Sequence, residues 1–109
     1  MANIYRNAKV DLTTTDNTTV YTSPSNSRAI VKSILVSDDS GSGDSINVTL
    51  TDASSAIFSL FKTKTIGSNA TTEFITQPII LQESEILKAQ ATTAGRLHII
   101  VSLLEINRD

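Results

Sequence analysis

Leu97-His98-Ile99-Ile100-Val101-Ser102-Leu103-Leu104-Glu105-Ile106 is the stretch whose reading decides the fold. Taken with a period of two, it places Leu97, Ile99, Val101 and Leu103 on one face. His98, Ile100, Ser102, Leu104 and Ile106 fall on the other. A strand on the skin of an antiparallel sheet needs one apolar face, and this one has nearly two. Its β-branched content, and Gly95 just before it, favour a strand over a helix. Fully burying Ile100, Leu104 and Ile106 would stabilise by roughly 1.5–3 kcal/mol each. The second face is therefore expected to meet more of the same chain, another copy, or a different protein.

The rest of the chain fits an all-β reading. It has 109 residues, enough for one core, and the expectation is a single domain over residues 1–109. With 39% hydrophobic and 18% charged residues it belongs with folded rather than disordered sequences. Ser and Thr make up about a quarter of it, well above ordinary usage. Thr with Val and Ile is strand material, and Ser with Asn is turn material. A formal charge of −2 argues against binding nucleic acid or an anionic membrane through a basic face. There are no cysteines, so neither disulfides nor thiolate zinc sites are available. Residues 1–10 hold no apolar run of signal-peptide length, and no run approaches the roughly 20 residues of a membrane span. The expectation is a soluble protein made in a reducing cytoplasm.

Strand candidates follow at spacings of about 8–12 residues. Ile4 to Leu12 places Ile4, Ala8, Val10 and Leu12 on one face. Thr19 to Thr22 is short and stops at Ser23-Pro24, since proline cannot donate to a ladder. In Arg28 to Ser37, Ile30, Ile34 and Val36 line one side and Ala29, Val31 and Leu35 the other. That segment reads as buried on both sides, or kinked by a bulge near Lys32. Ser45 to Asp52 alternates cleanly, with Ile46, Val48 and Leu50 inward. Ala56 to Thr65 returns after a hairpin, followed by short strands at 71–75 and 78–81. Ile86 to Thr92 turns at Thr93-Ala94-Gly95 into the closing strand. The predicted fold is a single antiparallel β-sandwich of about eight strands, of jelly-roll or Greek-key type.

Residues that carry chemistry are sparse. Asp38, Asp39, Ser40 and Asp44 crowd a Gly-bearing loop whose oxygens suit calcium. The spacing fits neither an EF-hand nor a nonapeptide repeat, and a solvated hairpin loop is the simpler reading. Gly41-Ser42-Gly43 lacks the ending of a phosphate loop. His98, the one histidine, sits in an apolar strand beside no acidic pair and reads as structural. Glu73, Glu83, Glu85 and Glu105 fall at apparent turns or strand ends, where solvation explains them. With 5% aromatics and no Trp, only Tyr5 and Tyr21 offer surface rings for a sugar, so a carbohydrate-binding module is a weak alternative. The expectation is a non-enzymatic protein with no catalytic, cofactor or metal residues.

Five stretches carry a resemblance. They are Tyr5 to Thr15 (Tyr-Arg-Asn-Ala-Lys-Val-Asp-Leu-Thr-Thr-Thr), Val20-Tyr-Thr, Ala29-Ile-Val-Lys-Ser-Ile, Ile86-Leu-Lys-Ala-Gln-Ala and Ser102-Leu-Leu-Glu-Ile. In these, over nearly its whole length, the chain resembles small virion structural proteins of tailed bacteriophages, especially those of cyanobacterial and other aquatic hosts. They are strand motifs, not a catalytic signature. The resemblance implies a sandwich that assembles on the particle as a capsid decoration or cement protein. Such proteins are often trimers seated where subunits of the major capsid protein meet, and this one would be made in the host bacterial cytoplasm and end on the capsid surface. A tail, head–tail connector or receptor-binding component of the same virion is the alternative.

The residues agree with assembly by their own pattern. Surplus apolar strand surface suits symmetric self-association, and an uncovered apolar sheet invites aggregation. The expected contact between copies uses Ile100, Leu104 and Ile106 with Ile30 and Leu35. Capsid docking is expected at Ala2, Asn3, Tyr5 and Arg6, with Arg6 available to acidic capsid groups.

Overall fold

Leu97, Ile99, Val101 and Leu103 all enter the core, as alternation along the closing segment requires. The computed structural model describes residues 2–108. In chain order the strands are β1 (Ala2–Leu12), β2 (Thr18–Thr22), β3 (Ser27–Asp38), β4 (Asp44–Thr51), β5 (Ile57–Ile66), β6 (Thr71–Glu73), β7 (Ile79–Leu81), β8 (Ile86–Ala91) and β9 (Leu97–Asn107). They form two antiparallel sheets packed as a sandwich. One has the order β1-β9-β3-β6, with β7 also on β3, and the other the order β2-β8-β4-β5. The chain changes sheet at every connection except the β4–β5 hairpin and the step from β6 to β7. Nine strands stand where about eight are expected, and the two short ones expected at 71–75 and 78–81, β6 and β7, share one edge of β3.

The closing strand is central. β9 pairs without interruption along β1, from Ala2 opposite Asn107 to Leu12 opposite Leu97, and on its other side along β3 past a single bulge. Its backbone is thus satisfied on both edges. The core between the sheets is aliphatic: Leu12, Val31, Ile34, Val36, Leu97, Ile99 and Leu103 from one sheet meet Ile46, Val48, Leu87 and Ile66 from the other.

Bulges in β3 and β2 decide which of their side chains go in. The register of β3 on β9 shifts between Val31 and Ser33, leaving Lys32 as the extra residue. Ala29 and Val31 before it, and Ile34 and Val36 after it, all point inward with no exposure. An unbroken alternation would group Ile30 with Ile34 and Val36. The bulge near Lys32 replaces that grouping and turns Ile30 and Leu35 together to the outside. A second shift, between Thr19 and Tyr21, lets the consecutive Val20 and Tyr21 both pack on the core. Tyr21 is therefore no surface ring.

Candidate assembly face

The outer side of the β1–β9–β3 sheet is where the surplus apolar residues lie. Since β9 sends Ile100, Leu104 and Ile106 outward, the pairing registers fix their neighbours row by row. Tyr5 on β1 pairs with Leu104, Leu104 with Ile30, and Ile30 with Ile80 on β7. This apolar row crosses the sheet from edge to edge. Tyr5 is 76% exposed, Ile80 60% and Ile100 40%. Leu104, Ile106, Ile30 and Leu35 are half-buried, each flanked by side chains of the adjoining strands. A parallel row holds Lys9, Ile100, Leu35 and Glu73. Between the two sit Asn7, Ser102 and Ser33, and beyond Tyr5 the row is Asn3, Ile106 and Arg28.

All five expected self-association residues thus share one face, and their own chain does not enclose them. Of the expected docking residues, Ala2 pairs with Asn107 and Asn3 with Ile106 at the same end of the sheet. Tyr5 projects from the apolar row, and the Lys32 amine lies 5.7 Å above its ring. Ile80 completes the row and escaped the sequence reading, because nothing in Pro78 to Leu81 shows which side of a three-residue strand faces out. Ile57 and Phe58, at 64% and 56% exposure, form a separate apolar spot at the start of β5.

Arg6 lies elsewhere. Its strand partners place it with Ile4 and Ala8 on the inward side of β1, where its guanidinium meets the Glu105 carboxylate at 3.3 Å. Half of its side chain stays exposed. Glu105 itself is buried, not solvated at a strand end. It accepts a 2.5 Å hydrogen bond from the Tyr21 hydroxyl, which joins the two sheets at this end. Burial first, and the bond to Glu105 second, push the Tyr21 hydroxyl well above its ordinary pKa.

Two further acidic groups, and the one histidine, depart from the solvated picture. The Asp38 carboxylate is buried and accepts N–H bonds from Ser40 (3.0 Å), Gly41 (3.1 Å), Gly43 (2.9 Å) and Asn69 (2.9 Å), with the Ser40 hydroxyl at 2.7 Å. It fastens the β3–β4 and β5–β6 loops together, so its lone pairs face donors, not a cation. The Ser40 hydroxyl and the Asn69 N–H hold its carboxyl well below the usual range. Burial disfavours the charge on Glu73, but the Ser33 hydroxyl and the N–H groups of Ile34, Ile75 and Phe74 outweigh it and lower its pKa. His98 has an acidic pair after all: Nε2 lies 3.2 Å from Asp11 and 3.8 Å from Asp39. Asp11 is its cross-strand neighbour, which a linear reading of β9 does not reveal.

No protein-family model matches the sequence, and no curated protein does either. Among solved structures, the fold is similar to a chain in the acidic stable capsid structure of Helicobacter pylori bacteriophage KHP30. The TM-score is 0.59 at 10% identity, over 99% of this chain and 95% of that one. At that identity the likeness is one of fold.

Proposed function

We propose that this chain is a virion structural protein of a bacteriophage, acting as a capsid decoration or cement protein. The observation that carries the reading is the apolar row Tyr5–Leu104–Ile30–Ile80, which runs across a sheet whose backbone needs no further partner. Such a face has no use in a solitary sandwich and suits lattice assembly. The fold likeness to a phage capsid chain supports the same role. So does the interleaved strand order, β1-β9-β3-β6 against β2-β8-β4-β5, which suits a jelly roll, an architecture recurrent in viral capsids. Two of the acidic groups are spent on the fold: Asp38 on loop N–H groups, Glu105 on Tyr21 and Arg6.

In this reading copies associate through Ile100, Leu104, Ile106, Ile30 and Leu35. The edge at Ala2, Asn3 and Tyr5, with the exposed half of Arg6, meets the major capsid protein. A homotrimer, the state implied by the sequence resemblance, is one closed arrangement of such copies. Copy number in purified virions tests the role. A decoration protein is present in hundreds of copies and is recovered with emptied heads after tails are sheared away. A few copies, or recovery with tails, would make it a tail or connector part, and absence from virions would overturn the proposal.

A further inference from the structure

Resting on that reading, we propose that two copies pack face to face through the outer side of the β1–β9–β3 sheet. The two-fold axis lies in the contact plane, along the strands and midway between β9 and β3. Such a rotation lays β9 of one copy over β3 of the other, and β1 over the β6/β7 edge.

The rows make this face complementary to itself. In the row Lys9–Ile100–Leu35–Glu73, the base stands at one edge and the acid at the other, with two apolar side chains between. Under the rotation Lys9 meets Glu73 of the second copy, and Ile100 meets its Leu35. In the apolar row Tyr5 meets the second copy's Ile80, and Leu104 its Ile30, so Tyr5 serves the contact between copies and capsid docking falls to Ala2, Asn3 and Arg6. Asp11 meets Thr71, His98 meets Ser37, and Arg28 meets Ile106, so no like charges oppose one another across these rows. Among the described residues Lys9 has no carboxylate partner in its own chain; its amine reaches the Asn7 side chain at 3.5 Å. Lys32 carries its charge toward the β1 edge, its amine 5.7 Å from the centre of the Tyr5 ring.

The other in-plane two-fold, across the strands, sets Glu73 against Ile80 and Lys9 against Tyr5, which strands both charges. A three-fold ring needs a second, different patch complementary to this one. Ile57 and Phe58 are the remaining large apolar side chains exposed among the described residues.

The size is sufficient. β1 and β9 are 11 residues each, about 37 Å, and four strands span about 19 Å, so the face covers roughly 700 Å² per copy. Two such faces bury on the order of 1,400 Å², within the range of specific interfaces of about 1,200–2,000 Å².

The absence of cysteine makes the test clean. Lys9→Cys and Glu73→Cys proteins are prepared separately, then treated with a short bis-maleimide alone and mixed. Within one chain the two positions are three strand spacings apart, about 14 Å, which a short linker does not bridge. The expected result is a covalent species of twice the 11.7 kDa chain in the mixture and little in either protein alone. Leu35→Cys mixed with Ile100→Cys should also link and avoids the hydrogen bonds that Glu73 makes, but both positions lie beside the axis, so links within either protein alone are expected there as well. Sedimentation of the wild type should show the doubled mass, and Ile57→Asp should leave it unchanged. Linking within Lys9→Cys alone, or a trimer mass lost in Ile57→Asp, overturns the two-fold arrangement while leaving self-association intact. A monomer at micromolar concentration without links overturns both, and the capsid-binding reading then stands or falls on copy number in virions alone.

Discussion

Replacing Tyr21 with Phe isolates a side-chain link between strands of the two sheets at the Glu105 end. The ring and its packing remain, and only the hydroxyl that donates to the Glu105 carboxylate at 2.5 Å is lost. A hydrogen bond to a charged group is worth about 1.5–3 kcal/mol net. Glu105 is left buried with Arg6 as its remaining partner, 3.3 Å away and half-exposed, which compensates little. The expected loss is about 2 kcal/mol, or a Tm lower by about 8 °C for a chain of this length. Urea unfolding at pH 7, followed by far-ultraviolet circular dichroism, reads it as a lower midpoint at unchanged slope. The pH dependence gives an independent check. Because the folded Tyr21 pKa is raised, its contribution is complete below about pH 10 and is lost as pH rises above that, where the unfolded phenol ionises first. Wild type should therefore weaken above pH 10 more steeply than Tyr21→Phe. A variant within about 0.5 kcal/mol of wild type, with the same alkaline slope, would refute the account of Glu105 as a buried acceptor that depends on Tyr21.

Two further perturbations probe the loops at the other end. Asp38→Asn should destabilise at pH 7, since four N–H groups and a hydroxyl converge on the carboxylate it replaces. The folded Asp38 pKa is lowered, so its stabilisation is full above about pH 4 and is lost as pH falls below that. Wild type should lose stability between pH 4 and 2 more steeply than Asp38→Asn, as acid titration at fixed urea will show. Gly43 and Gly95 both have positive φ, 73° and 76°, but a Cβ on Gly43 would stand 3.0 Å from the Ile66 carbonyl oxygen while one on Gly95 meets nothing within 4 Å. Gly95→Ala should cost about 1 kcal/mol from backbone strain alone, and Gly43→Ala visibly more, in side-by-side thermal melts.

Alternation carried most of the fold. In β9, β4 and β1 the apolar residues recur every second position, and nothing interrupts the count, so the inward sets Leu97–Leu103, Ile46–Leu50 and Ala8–Leu12 are legible without coordinates. The same count showed that β9 has a second apolar face, because that excess is a property of composition at fixed spacing. It could not follow β3 or β2, where one extra residue, Lys32 or Val20, reverses the phase of everything after it. A bulge costs little locally and is dictated by the register of the neighbouring strand, which lies 60 or more residues away in sequence.

The candidate face divides in the same way. Ile100, Leu104 and Ile106 are marked as surplus by their own strand and Tyr5 as a surface ring, and the sequence alone determined that this chain is a β-protein whose closing strand is apolar on nearly both faces. Only the tertiary structure decided that Ile30, Leu104, Tyr5 and Ile80 form one row, that Arg6 serves Glu105, and that His98 lies between Asp11 and Asp39. Those are contacts between strands, set by how two sheets pair and pack. A one-dimensional pattern records each strand's own faces and carries nothing about which neighbour each face will meet.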